Sequence, residues 1–231
     1  MKAVVVYVKG HEVSEQHKDR LVKSLCEHDW DYSLMEGLTP DTVDKFPYKY
    51  KDLPGGRLES FATNEPNKYP IKKACVLNHV RFAIRVLYEH KPMILLEHDQ
   101  LVCAPPPKIS FDEFCVLNMD HAFKPPSVLA NYPAFTSWDS KYQRPSGIYD
   151  IPDTYPLQYY KHSKYRTSLM TPGTGAYALT PKGAKKFMQA VEQHGLEQSD
   201  FLFNSFVVKL QAVHPSPVKF QPTNPNLSHG L

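Results

Sequence analysis

Met93-Ile-Leu-Leu-Glu-His-Asp99 is a short apolar run that stops abruptly on acids, and the fold turns on how it is read. Met93 to Leu96 is continuously apolar, as a parallel strand covered on both faces must be. Pro92, just before it, ends whatever helix precedes. Upstream, residues 71–90 set Cys75, His79, Phe82 and Val86 along one helical stripe, so a helix leads into the strand. The chain opens the same way. Ala3-Val-Val-Val-Tyr-Val8 is β-branched and apolar, Ser14 is placed to cap a helix, and Leu21, Val22, Leu25 and Cys26 recur at helical spacing before a second short strand, Trp30 to Met35. Strand and helix in alternation predict an α/β domain with a parallel sheet.

Downstream, the pattern continues less regularly. Leu101 to Ala104 and a proline run at 105–107 lead to a predicted strand from Cys115 to Met119. Gly175 to Leu179 reads as another strand, with Thr180 as N-cap and Pro181 as first residue of a helix whose apolar face is Ala184, Phe187, Met188 and Val191 and whose end is Gly195. A further helix is expected over Ser199 to Leu210. Two stretches lack any period. Residues 36–70, with Leu53-Pro-Gly-Gly56, read as a long loop, and so do residues 120–172, which carry Tyr142, Tyr149, Tyr155, Tyr159, Tyr160 and Tyr165. These tyrosines suit either a stacking platform for a sugar or base, or a satellite cluster packed beneath a loop. From His214 the chain is proline-rich, so residues 1–213 are expected to form one domain and 214–231 an extended tail.

Composition narrows the function. With 42% hydrophobic and 22% charged residues, global disorder is excluded. The excess of 27 basic over 24 acidic side chains is too small to announce a nucleic-acid or membrane surface, but it suits a protein handling anionic nucleotides. The four cysteines form no CxxC pair, which points to reduced thiols in a cytoplasmic compartment. The opening apolar run is too short for a signal peptide, and no stretch reaches the roughly 20 apolar residues of a bilayer span, so membrane association would be peripheral.

Glu97 and Asp99 lie two apart at the carboxyl end of a buried strand, where open α/β sheets gather their ligands. In extended chain both point the same way and can reach one hard cation, which in turn can hold two phosphates. Acids after a strand also serve as turn formers or caps, so the pair needs context.

That context is a likeness. Ala74-Cys-Val-Leu-Asn-His79, a helix, Ile94-Leu-Leu-Glu-His-Asp99 and then Gly173-Thr-Gly-Ala-Tyr-Ala-Leu-Thr180 with Pro181-Lys-Gly-Ala184 resemble, in order and spacing, the blocks of glycosyltransferase family 25. That family carries Gly-Cys-x-x-Ser-His, Ile-Leu-Glu-Asp-Asp and Gly-Thr-x-x-Tyr; the likeness spans roughly the first 210 residues. It implies a GT-A-like, Rossmann-like single domain with a mixed, mostly parallel sheet. It implies also a nucleotide-sugar donor, UDP-linked as a rule, and a divalent cation, Mn2+ or Mg2+, held by Glu97 and Asp99. Transfer would then go with inversion to a hydroxyl acceptor on a glycan, a protein or a hydroxymethylated DNA base.

By the same resemblance, Asn78, His79, Gly173, Thr174 and Gly175 line the donor site, and the late aspartate of the family falls on Asp200. Inverting transfer needs a general base, for which Asp200 is the first candidate and Asp120, after the strand 115–119, the second; both also suit helix caps or turns. His79 alone reads as a core histidine, a donor contact or a metal ligand, and Tyr177 as an inward-packed ring. His214 or His229 would complete a metal shell, or stand solvated. The chain departs from the family at Asn78 for serine, Ala74 for glycine and His98 for the middle acid, and Glu15-Gln-His17 stands where arginines are common. One acid fewer leaves open a non-catalytic sugar- or nucleotide-binding descendant, and the carboxylate pair alone would also suit a metal-dependent phosphohydrolase.

Overall fold

The computed structural model describes residues 1–49, 58, 66–119, 145–151, 171 and 173–221. Its elements in chain order are β1 (Lys2–Tyr7), α1 (Glu12–Glu27), β2 (Tyr32–Glu36), a 3-10 turn (Val43–Lys45), α2 (Tyr69–Glu89), β3 (Met93–Glu97), β4 (Gln100–Val102), β5 (Phe114–Val116), β6 (Gly147–Asp150), β7 (Ala176–Leu179), α3 (Pro181–His194), the single turn α4 (Ser199–Leu202), β8 (Leu210–His214) and β9 (Val218–Phe220).

Seven strands form one sheet in the order β2-β1-β3-β7-β5-β8-β6, and β4 pairs with β9 in a second, two-stranded sheet. The sheet is mixed. β1 runs parallel to β2 and β3, and β5 parallel to β8, while β7 is antiparallel to both β3 and β5, and β6 to β8. Five strands therefore point one way and β7 and β6 the other. The α/β class and the mostly parallel sheet expected from the apolar runs are present.

Alternation along the strands sorts side chains into two cores. Ala3, Val5, Ile94, Leu96 and Ala178 meet Leu21, Leu25 and Trp30 on one face. Val4, Val6, Met93, Leu95, Tyr177 and Leu179 meet Val76, Val80, Phe187 and Phe203 on the other. Thus α1 covers one face and α2 and α3 the opposite one, and each leucine-sized side chain so buried contributes about 1.5–3 kcal/mol. Gly183 lets α3 approach the sheet, since a Cβ there would run into the Glu113 backbone carbonyl.

Several elements differ from expectation for identifiable reasons. α1 is capped by His11, whose Nδ1 accepts from the Ser14 amide at 3.2 Å, while the Ser14 hydroxyl accepts from Val8 N at 2.8 Å. The helix predicted over Ser199 to Leu210 stops after one turn. Asn204 Oδ1 accepts from Phe206 N and Val207 N at 2.9 and 3.1 Å, a local turn that competes with helix, and the chain goes on into β8. Tyr149 belongs to strand β6 at the sheet edge, where irregular structure is expected from composition. The segment after His214 is paired: β9 lies against β4, with Gln100 opposite Phe220. Among the described residues no helix is long and apolar enough to cross a membrane.

Candidate functional site

Every strand that runs with β1 ends at one edge of the sheet, and the antiparallel β7 begins there. Strand parity then assigns the acid motif. Glu97 shares the side of Met93 and Leu95 and meets α2, with its carboxylate 3.6 Å from His79 Nε2. His98, one residue on, turns to the α1 face, where its ring centroid lies 5.9 Å from that of His17.

His79 is buried, and its Nδ1 lies 3.0 Å from the Tyr177 hydroxyl. A carboxylate beside Nε2 favours the proton on that nitrogen, which leaves Nδ1 to accept from Tyr177. Tyr177 is fully buried and stacks on Phe114, so it packs inward as its apolar neighbours suggest. Burial, with the Glu97 charge added, pushes its phenol well above the usual value, so it stays a donor. Crowding by protein pushes the Glu97 carboxyl up, but contact with His79 and the charges of His79 and His98 outweigh it and hold Glu97 below the ordinary glutamate value.

Asp99 follows in the turn to β4. Burial first, and the Glu97 charge second, push its carboxyl to about 7, although Gln100 Nε2 donates to Oδ1 at 2.9 Å. Gln100 is itself fixed, because Asn118 Nδ2 donates to its Oε1 at 2.8 Å and so turns its NH2 toward Asp99. His98 is held below the usual histidine value, by burial and by His17 and His11 against the pull of Glu97, so the middle of the motif is neutral at pH 7.

The Gly173–Gly175 segment joins this acid pair to Asp200. Glu97 N donates to Gly175 O at 2.7 Å. A Cβ on residue 175 would lie 2.7 Å from Gln100 Nε2 and 3.3 Å from Glu97 Oε2, so glycine here keeps the floor of the site open. Gly173 has φ 153°. Next to it the Thr174 hydroxyl donates to Asp200 Oδ1 at 2.8 Å and lies 2.8 Å from Ser199 Oγ. With the Thr174 proton directed at Asp200, Ser199 donates to Thr174. Crowding pushes the Asp200 carboxyl above its ordinary value; the Thr174 bond pulls it down, Glu97 pushes it further up, and His79 and Lys72 pull it down. Cys75, on α2 one turn before His79, touches solvent, yet crowding and the Glu97 charge push its thiol to about 12. It is a neutral thiol at physiological pH.

Of the residues singled out in the sequence, Glu97, Asp99, His79, Gly175, Thr174 and Asp200 thus meet at one edge. Asn78 does something else: its Oδ1 accepts from Leu38 N at 2.7 Å and its Nδ2 donates to Leu38 O at 3.3 Å, so it pins the chain leaving β2. His214 ends β8. Asp120, His229, Leu53 to Gly56, and Tyr142, Tyr155, Tyr159, Tyr160 and Tyr165 lie outside the described residues. Gln100 and Asn118 had no signal in the sequence, because an amide matters here only through the partner that folding brings to it.

Two hard oxygen donors that feel each other's charge, one of them raised to about 7, fit a divalent cation. Among the described residues no three of His, Cys, Asp or Glu are placed to hold one unaided. Two carboxylates would leave the remaining positions to water and to phosphate oxygens. A cavity of about 510 Å³ opens at the opposite edge of the sheet, between Glu113, Asp150, Lys186 and Phe206. Its buried acid is already neutralised: Glu113 lies 2.9 Å from Lys182 Nζ and 2.6 Å from Lys186 Nζ and accepts from Lys209 N at 2.8 Å. That network braces α3 against β5. No family model matches the chain, and no curated protein is found to be similar to it.

Proposed function

We propose that the chain is a GT-A-like glycosyltransferase that moves a sugar from a nucleotide-sugar donor, UDP-linked, to a hydroxyl acceptor with inversion. One arrangement carries this: a metal-competent acid pair at the end of β3 and a separate carboxylate, Asp200, tied to it through Gly173–Gly175 at the edge where α/β sheets take their ligands. An antiparallel strand, β7, set between β3 and β5 agrees with the fold that the resemblance implies.

Glu97, beside a His79 that Tyr177 holds in place, and Asp99, held by Gln100, would be the ligands of Mn2+ or Mg2+. When bound, the cation offsets the charge that develops on the departing nucleoside diphosphate. Asp200, with a carboxyl raised above its ordinary value, takes the proton of the acceptor hydroxyl. The acceptor oxygen forms its bond to the anomeric carbon from the face opposite the diphosphate, whose oxygen leaves with the electron pair.

The test is a panel of nucleotide sugars screened for thermal stabilisation with and without Mn2+, followed by assay of sugar release. Manganese-dependent stabilisation with release of sugar is expected. Stabilisation without release fits the non-catalytic binder that the neutral His98 suggests, release of inorganic phosphate fits a phosphohydrolase, and the absence of any manganese-dependent response rejects the assignment. Salt-sensitive binding to duplex DNA would place the acceptor on a modified base.

A further inference from the structure

From the contacts of Gln221 we infer that this glutamine is the positioning residue of the acid-bearing turn; its role in cation binding rests on the reading of Glu97 and Asp99 given above. The β4–β9 ladder ends with Gln100 opposite Phe220. One residue later Gln221 takes over the turn. Its backbone N donates to Asp99 O at 2.9 Å, and its side-chain Nε2 donates to His98 O at 3.1 Å and Gln100 O at 3.0 Å. Every carbonyl from His98 to Gln100 is therefore held by this one residue. The same Nε2 lies 2.8 Å from His17 O, so its two N–H groups are shared among three carbonyls and the turn is tied to α1.

The side chain is buried, and among the described residues its Oε1 has no hydrogen-bond partner. A buried, unsatisfied acceptor is unfavourable, and what offsets it is the donation of the same amide to the carbonyls of the turn. What only the amide supplies is a set of donors to carbonyls that flank Asp99. Gln100 fixes the Asp99 carboxylate; Gln221 fixes the backbone from which Glu97 and Asp99 project. Residues that orient ligands in this way govern metal affinity without touching the metal.

The decisive variant is Gln221→Met in the full chain, which keeps length and removes both the donors and the orphan oxygen. Three quantities are read: melting temperature, hydrogen exchange of the amides in residues 98–101, and Mn2+ affinity from the electron paramagnetic resonance signal of the free ion. The expected result is a lowered Tm as the turn carbonyls lose their donor, faster exchange in the turn, and Mn2+ affinity weaker on the order of tenfold. Unchanged exchange and affinity, or a loss confined to Tm, overturns the inference. If Q221M does not fold, Gln221→Glu, which sets an oxygen against the same carbonyls, is read by the same criteria. If the wild type binds no Mn2+, the cation site itself is rejected, and turn exchange alone decides on Gln221: faster upholds its positioning role and unchanged overturns it.

Discussion

The Tyr177 hydroxyl and His79 Nδ1 lie 3.0 Å apart in the core, and the other nitrogen of the same ring is 3.6 Å from the Glu97 carboxylate. A phenol buried in the sheet thereby selects which imidazole nitrogen faces the site. Tyr177→Phe keeps the ring stack and removes only the donor, leaving a buried nitrogen without its partner. It should cost about 1–3 kcal/mol in urea unfolding and weaken Mn2+ binding as the tautomer becomes free to exchange. A full loss of fold, or no change in either quantity, would contradict this role.

Asp99 makes stability depend on pH in an unusual direction. Its carboxyl titrates at about 7 in the folded chain against a usual 3.8, so the folded state holds the proton more tightly. The sign follows: this group's contribution is fully present below pH 3.8 and is lost as pH rises toward 7. Thermal melts should show that slope in the wild type and its disappearance in Asp99→Asn. A cation competes with the same proton, so Mn2+ affinity should rise with pH through neutrality and Mn2+ should restore the stability lost there.

Much of this site was legible before folding, and the limits of that legibility are physical. The apolar run Met93 to Leu96 ending in acids placed Glu97 by strand alternation, whereas Asp99, expected in extended chain, lies in the turn after β3. The meeting of Glu97 with His79 could not be read, since it depends on how α2 is rotated against the sheet. The helix expected over residues 199–210 ends at Leu202, and Asn204 holds a local turn just beyond it in place of further helix. Gln221 carries no pattern at all: a single amide in a proline-rich segment becomes meaningful only when β9 docks beside β4.

Gly175 offers a test by addition instead of removal. A methyl at that position would sit 2.7 Å from Gln100 Nε2, and Gln100 cannot swing aside cheaply because it is buried and its Oε1 is held by Asn118. Gly175→Ala should therefore dislodge the amide from Asp99 and disturb Glu97. Mn2+ affinity should fall about 10- to 100-fold by calorimetric titration, a larger effect than the accompanying drop in melting temperature implies. Equal affinity in the variant would mean that Gln100 does not govern the Asp99 carboxylate.

Asp200 and Thr174 separate binding from chemistry. If Asp200 takes the acceptor proton, Asp200→Asn should lower kcat on the order of 10²- to 10⁴-fold while donor and Mn2+ affinities stay near wild type. The pH profile adds a sharper criterion. The Thr174 hydroxyl donates to Asp200 Oδ1 and stabilises its ionised form, pulling down a carboxyl that crowding and Glu97 push up. In Thr174→Val that pull is gone, so the pKa of the base moves higher still. The rising acidic limb of kcat against pH should then shift toward neutral pH, with activity recovering at alkaline pH where Asp200 is ionised again. A purely structural contact would lower the rate at every pH alike, and a profile of unchanged shape in Thr174→Val would remove Asp200 from the role of base.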